Sequence, residues 1–184
     1  MKTEPWFFTY SGIKFDLLNP TQDMIDIEDI AHALSMQCRW NGHCKYFFSL
    51  AEHSYHTSYL VPEKLALHAL LHDAAEAYCG DLITPLKDQL PNFKKIEHKI
   101  LHLIFDCFGV QNSPEDKMQI KFADGRMIPT EAYQIIPNSE SYEWLKDFPP
   151  RAQIDLEMWN PIISKGMFMN RFYEVIDWKQ KLAS

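Results

Sequence analysis

Apolar residues in this chain recur mainly at helical spacing. From Ile27 to about Met36, the positions Ile27, Ile30, Ala31 and Leu34 form one stripe, and Asp26 stands where an N-cap belongs. Ser49 caps a second predicted helix through about Leu60, with Glu52 at the third helical position as in a capping box. Pro62 suits a first helical turn, helix formers fill Lys64 to Leu70, and Gly80 suits a stop. The pattern therefore predicts one helix from Pro62 to about Tyr78. Pro91 opens another to about Phe108, with Phe93, Ile96, Ile100, Leu103 and Ile104 on one side and Gly109 beyond it. Ser113-Pro114-Glu115-Asp116 supplies a cap, a first-turn proline and first-turn acids for a helix to about Tyr133, kinked at Pro129. A last helix covers about Ile162 to Leu182. Its Met167, Phe168, Met169, Phe172, Tyr173 and Trp178 read as core, or alternatively as a face between copies of the chain.

Period-two patterning is confined to the start. Trp6 to Tyr10 and Ile13 to Leu18, divided by Ser11-Gly12, read as a small hairpin. Asn19-Pro20-Thr21, Cys38 to Lys45 and Asp81 to Pro85 read as turns and loops, and Asn138 to Asp147 is open between helix and loop. The fold class is mostly α: a helical bundle with a short N-terminal β-hairpin or extended segment.

At 184 residues the chain fits one domain, with its motifs in a core of about 11–135 and a C-terminal helical extension of about 138–184. A net charge of -7 argues against a nucleic-acid polymer as partner, because such binders need a basic footprint. It leaves room for a small anionic substrate, since a metal and one or two Arg set a local field. Cys38, Cys44, Cys79 and Cys107 have no CxxC spacing and read as free thiols of a reducing cytosol. The start Met1-Lys2-Thr3-Glu4-Pro5 lacks the apolar region of a signal peptide, and no run approaches a membrane span.

The unusual chemistry is at Leu71-His72-Asp73-Ala74-Ala75-Glu76. On a continuous helix His72 and Glu76 are four apart and Asp73 and Glu76 three apart, so all three project over one sector. Two accounts fit: half of a divalent-metal site with Glu76 as acid/base, or a solvated helix face with a capping Asp. His53 could project toward this helix if the two pack antiparallel, but a lone helical His is more often an ordinary polar or core residue, and so are His32, His43, His56, His98 and His102; His68, one turn before His72, reads as core or as a partner behind the site. Asp124 lies among Ile120, Phe122 and Ala123, where a carboxylate wants a metal, Lys121 or water. Gly125 after it costs a helix about 1 kcal/mol relative to Ala, predicting a loosened or ended helix there. Arg39-Trp40-Asn41-Gly42 offers an Arg and a Trp on a Gly-containing loop, suited to a phosphate and a base or sugar, or to a surface Arg beside a core Trp.

Taken in order, the Arg39-Trp40 loop, Glu52-His53-Ser54, His72-Asp73 with Glu76, Gly80-Asp81, and Ala123-Asp124 resemble the HD-domain metal phosphohydrolases. They look most like the small 5'-deoxynucleotidase branch and its phage-type relatives, some of which are dATP or dNTP triphosphohydrolases. The stretches from Phe15 to Pro20, Ile27 to Ser35 and Arg39 to His43 look particularly like the phage-type members, and the resemblance covers about Ser11 to Glu131. It implies an HD-type helical domain with one divalent ion held by His53, His72, Asp73 and Asp124. Two imidazoles and two carboxylates suit Mn²⁺, Co²⁺, Fe²⁺ or Zn²⁺, with Mg²⁺ as a helper on phosphates. Glu76 would be general acid/base and Asp81 would position water or sugar. Arg39 would hold phosphate, Trp40 and Gly42 would line the nucleoside pocket, and Thr84 and Lys87 would be further substrate contacts. The implied reaction is hydrolysis of a small-molecule deoxynucleotide, either 5'-dephosphorylation of a monophosphate or triphosphohydrolysis. A homo-oligomer in the cytoplasm, or the host cytoplasm for a phage-encoded chain, goes with it. Two other readings remain: an HD-type phosphodiesterase of cyclic or signalling nucleotides, and a non-enzymatic helical interaction module.

Overall fold

In a computed structural model the chain is described for residues 4–111 and 113–183. The reading of the start at Met1 to Thr3 lies outside the described residues. Strands β1 (Trp6–Phe8) and β2 (Lys14–Asp16) pair antiparallel, with Phe7 opposite Phe15. Phe15 is fully buried and its ring stacks on Tyr78 with centroids 4.1 Å apart, so the hairpin closes one side of the main core. The helices are α1 (Ile27–Met36), α2 (Leu50–Tyr59), α3 (Ala66–Leu70), α4 (Glu76–Cys79), α5 (Thr84–Lys87), α6 (Pro91–Cys107), α7 (Pro114–Ile135) and α8 (Pro161–Ala183). The architecture is mostly α with a short N-terminal hairpin, as the hydrophobic periodicity predicts. Asp26 caps α1 by accepting from the Glu28 amide, and Ser113 and Asp116 complete a capping box on α7.

Four elements depart from the sequence reading, each for a visible reason. The helix expected from Pro62 to Tyr78 is broken into a 3-10 turn at Glu63–Leu65, then α3, a run of turns and α4. The His72 ring takes the Ala69 carbonyl at 2.7 Å, close to where a continuous helix would use it for the Asp73 amide. The amides of Ala74 and Glu76 bond three residues back instead, at 3.1 and 2.9 Å, and that of Leu71 is shared between the Leu67 and His68 carbonyls. Secondly, α5 begins inside the expected 81–85 loop and runs past it to Lys87, with Pro85 in its first turn. Thirdly, α7 runs unbroken through Gly125 and Pro129. A Cβ at Gly125 would stand 3.2 Å from Pro149 Cδ, so the missing side chain lets the Pro149-Pro150 segment lie against α7. Fourthly, Ser49 accepts from the Glu52 amide, but the Glu52 carboxylate does not return to Ser49. It accepts from the amides of Glu157, Met158 and Trp159 at 2.8–3.0 Å.

The stretch from Asn138 to Asp147 resolves as two 3-10 turns, Ser139–Ser141 and Glu143–Asp147. The last helix belongs to the main core: Phe168, Met169, Phe172 and Val175 pack with Ile30, Leu34, Leu50 and Leu70 from α1, α2 and α3. Each such apolar side chain contributes roughly 1.5–3 kcal/mol when fully buried. Tyr173 is left exposed. A second apolar cluster, centred on Phe48, Met127 and Ile135, underlies the loop that carries Trp40. Among the described residues no helix is long and apolar enough to cross a membrane.

Candidate metal centre

Helix α2 brings His53 into the interior, fully buried, where it meets the turn that carries His72 and Asp73. The Nε2 atoms of His53 and His72 are 3.3 Å apart. Asp73 Oδ2 lies 3.2 Å from His72 Nε2 and 3.7 Å from His53 Nε2. From α7, Asp124 Oδ1 lies 3.2 Å from His53 Nε2 and 3.7 Å from His72 Nε2. Neighbouring ligands about 2.0–2.2 Å from one ion are themselves separated by about 3.0 Å in an octahedral shell and about 3.4 Å in a tetrahedral one. The spacings of 3.2–3.3 Å fall in that range, and the two of 3.7 Å lie just beyond it. Among the described residues, His53, His72 and Asp73 form the group whose donor atoms all lie within 4.8 Å of one another. The chemistry of the set also fits a borderline divalent ion.

Charge at the site supports the same fit. Burial alone would lower the pKa of both imidazoles, but the surrounding carboxylates win. His53 is raised, burial and Arg39 being outweighed by Glu131 and Asp124. His72 is raised well above its ordinary value, burial being outweighed by Asp73 and Asp124. Burial opposes ionisation of Asp73, yet His72 and His53 bring it down to about 2. Burial likewise opposes ionisation of Asp124, and both imidazoles hold it well below the usual carboxylate range. The carboxylates thus favour positive charge at this point, which is where a divalent ion would sit.

Around this group stand the other residues singled out in the sequence. Arg39 is half-buried, with Nη1 3.8 Å from Asp73 Oδ2 and Nε donating to Glu131 at 2.9 Å. Burial and two carboxylates act on Glu76. Its pKa is pushed up to about 9 by burial first, then by Asp73 and Asp81, with Lys87 opposing. Lys87, expected to meet substrate, donates instead to Glu76 at 3.0 Å and Glu97 at 2.7 Å. The Asp81 amide donates to Gln37 Oε1 at 3.1 Å, while Gln37 Nε2 donates to the Glu76 carbonyl at 3.0 Å. Trp40 donates its indole N–H to Glu131 at 2.7 Å. Gly42, at positive φ, and Thr84, at the start of α5, are both exposed, and no hydrogen bond ties either to the His–Asp group. A cavity of about 510 Å³ opens beside the cluster, lined in part by His68, His72, Lys117, Lys121 and Asp124. That volume suits a small organic ligand.

Sequence reasoning missed Glu131, Gln37 and Glu97. Glu131 carried a signal: it follows Asp124 by seven residues, two helical turns, on the same side of α7. Gln37 and Glu97 carried none, because their partners lie on other elements.

The sequence is also similar to known proteins. A family model described as 5'-deoxynucleotidase YfbR-like matches residues 31–106, which include the Arg39-Trp40 loop, His53, His72, Asp73, Glu76 and Asp81. The uncharacterized protein YfdR of Escherichia coli is 36% identical over 173 residues, covering 94% of this chain and 96% of YfdR. The uncharacterized protein RCAP_rcc00048 of Rhodobacter capsulatus is 39% identical over 149 residues, 74% of this chain and 76% of that protein. The 5'-deoxynucleotidase VP0926 of Vibrio parahaemolyticus is 37% identical over 82 residues, 35% of this chain and 42% of its own. Alignable with YfdR over nearly its whole length, and matching the YfbR-like model where the histidines and carboxylates converge, this chain belongs to the HD-domain phosphohydrolase family.

Proposed function

We propose that the chain is a divalent-metal-dependent phosphohydrolase that removes the 5'-phosphate of 2'-deoxynucleoside monophosphates. The observation that carries this reading is the convergence of two imidazoles and two carboxylates beside the half-buried Arg39 and the buried carboxyl of Glu76. His53, His72, Asp73 and Asp124 would hold the ion. When bound, the ion supplies Lewis acidity at phosphorus and makes a water more acidic. Arg39, kept cationic by Glu131 and Asp73, orients the phosphate and offsets charge as it builds on the phosphoryl oxygens. Glu76 handles the proton: it takes one from the attacking water and delivers one to the departing 5'-oxygen. Lys87 and Gln37 fix Glu76 from two sides, through its carboxylate and its carbonyl. The Trp40 and Gly42 loop and the exposed Thr84 would be the nucleoside's contacts. Similarity to the 5'-deoxynucleotidase VP0926 supports a monophosphate substrate.

Triphosphohydrolysis is the competing reading, and Lys117 and Lys121 on the cavity wall beside Asp124 favour it by adding cationic groups. One experiment separates the two. Protein stripped with a chelator is given Mn²⁺, Co²⁺, Fe²⁺, Zn²⁺ or Mg²⁺ in turn, with dAMP, dATP and their ribose counterparts. Free phosphate from dAMP, restored only by a divalent ion, is the expected result. Tripolyphosphate from dATP with dAMP untouched moves the assignment to the triphosphatase. Turnover of neither, with every ion, ends the phosphohydrolase reading.

A further inference from the structure

Three polar arms meet on one interior carboxylate. Glu131 of α7 is fully buried, and its Oε1 lies 2.6 Å from His53 Nδ1. Its Oε2 receives the Arg39 Nε proton at 2.9 Å and the Trp40 indole proton at 2.7 Å. We propose that Glu131 is a positioning residue that couples the metal-facing form of His53 to the placement of the Arg39-Trp40 loop. The inference rests on the phosphohydrolase reading of the site and assigns Glu131 a part in it.

The chemistry of the three partners leaves little choice of roles. An ionised carboxylate only accepts, and the indole and guanidinium groups only donate. His53 must therefore donate from Nδ1. A neutral imidazole that donates from Nδ1 carries its lone pair on Nε2. Nε2 is the atom that faces His72, Asp73 and Asp124. An outer carboxylate of this kind fixes the ring and its tautomer for metal binding.

The second arm shows a local cost. Trp40 and Asn41 both take positive φ, at 56° and 50°, a region that side chains other than glycine's rarely adopt. Such a backbone persists only where its surroundings over-determine it. The bond from the Trp40 indole to Glu131 is one such tie, and the Arg39 bond next to it is another. Arg39 then reaches on to Asp73, so Asp73, Arg39, Glu131 and His53 form a closed ring of contacts.

Glu131→Gln tests the coupling because an amide has one accepting atom in place of two. Two donors, Arg39 and Trp40, compete for its oxygen against one from His53. The amide nitrogen is left facing His53, whose Nδ1 must then accept, placing the proton on Nε2. Zinc binding, followed by calorimetry, is expected to weaken 10- to 100-fold. Trp40→Phe keeps the His53 bond and removes one tie of the loop. It should leave zinc affinity unchanged while raising KM for dAMP several-fold. In the zinc-loaded wild type, nitrogen-15 spectra should show a proton on His53 Nδ1, a readout that does not depend on any variant folding. Wild-type zinc affinity in a folded Glu131→Gln protein, or a His53 Nδ1 without its proton in the zinc-loaded wild type, overturns the coupling while dAMP turnover stands. A wild-type chain that binds no divalent ion removes the phosphohydrolase reading, and the coupling with it.

Discussion

Glu76→Gln is expected to lower kcat for the proposed hydrolysis by about 10²–10⁴-fold, the usual worth of a positioned general acid/base. Gln keeps the oxygen that accepts from Lys87 Nζ, and the backbone carbonyl that holds Gln37 is untouched. The fold should survive, with a melting temperature close to that of the wild type. Binding of the divalent ion should also survive, because Glu76 is outside the His53, His72 and Asp73 group. The pH profile adds a second readout. The carboxyl must lose its proton before it can take one from water. Burial, Asp73 and Asp81 hold its pKa up at about 9 in the metal-free chain, above the ordinary 4.5. A cation at the neighbouring ligands pulls it down from there. The rising limb of kcat/KM should therefore fall between those two values, with activity gained as pH increases, and Glu76→Gln should lack that limb. Full kcat in Glu76→Gln would move the acid/base role to another group.

Glu52→Ala is expected to destabilise the fold by roughly 3–5 kcal/mol, the cost of breaking a buried charge-assisted network. Glu52 has no exposed surface, and it alone receives three successive amides, from Glu157, Met158 and Trp159. Met158 takes φ 54° there, so the segment bends sharply around the carboxylate. Without it the amides must find water, and Trp159, which stacks on His56 with centroids 5.7 Å apart, loses its seat. For a chain of this length each kcal/mol moves Tm by about 2–4 °C, so a fall of roughly 10 °C is the expected size. Glu52→Gln, which keeps one accepting oxygen, should lie between. A Tm within 2 °C of wild type for Glu52→Ala would show that the 157–159 segment is held by something else.

The two substitutions also divide what was legible in the sequence from what was not. Stripes at three and four residues, caps and prolines locate α1, α2, α6, α7 and α8, because each of those signals acts within one element. The break at His72 escaped the pattern, because a side chain competing for a main-chain carbonyl leaves no mark on hydrophobic periodicity. The motif residues were nameable one by one, but their meeting depends on three elements packing: α2 for His53, the turn before α4 for His72 and Asp73, and α7 for Asp124. Glu52 looked like half of a capping box, and only the distant 157–159 segment explains its burial. Lys87 looked free for phosphate until Glu97 on α6 supplied its second partner. Cross-element partners of this kind are set by tertiary contact, which spacing in one segment does not encode.

The place of α8 in the main core has a consequence for biosynthesis. Ile30, Leu34 and Leu50 leave the ribosome long before Phe168, Phe172 and Val175, which cover them. At about 5–20 residues per second, the wait between the emergence of α2 and that of α8 is roughly 5–20 s. For that interval the nascent polypeptide carries an open apolar trough of the sort that chaperones grip.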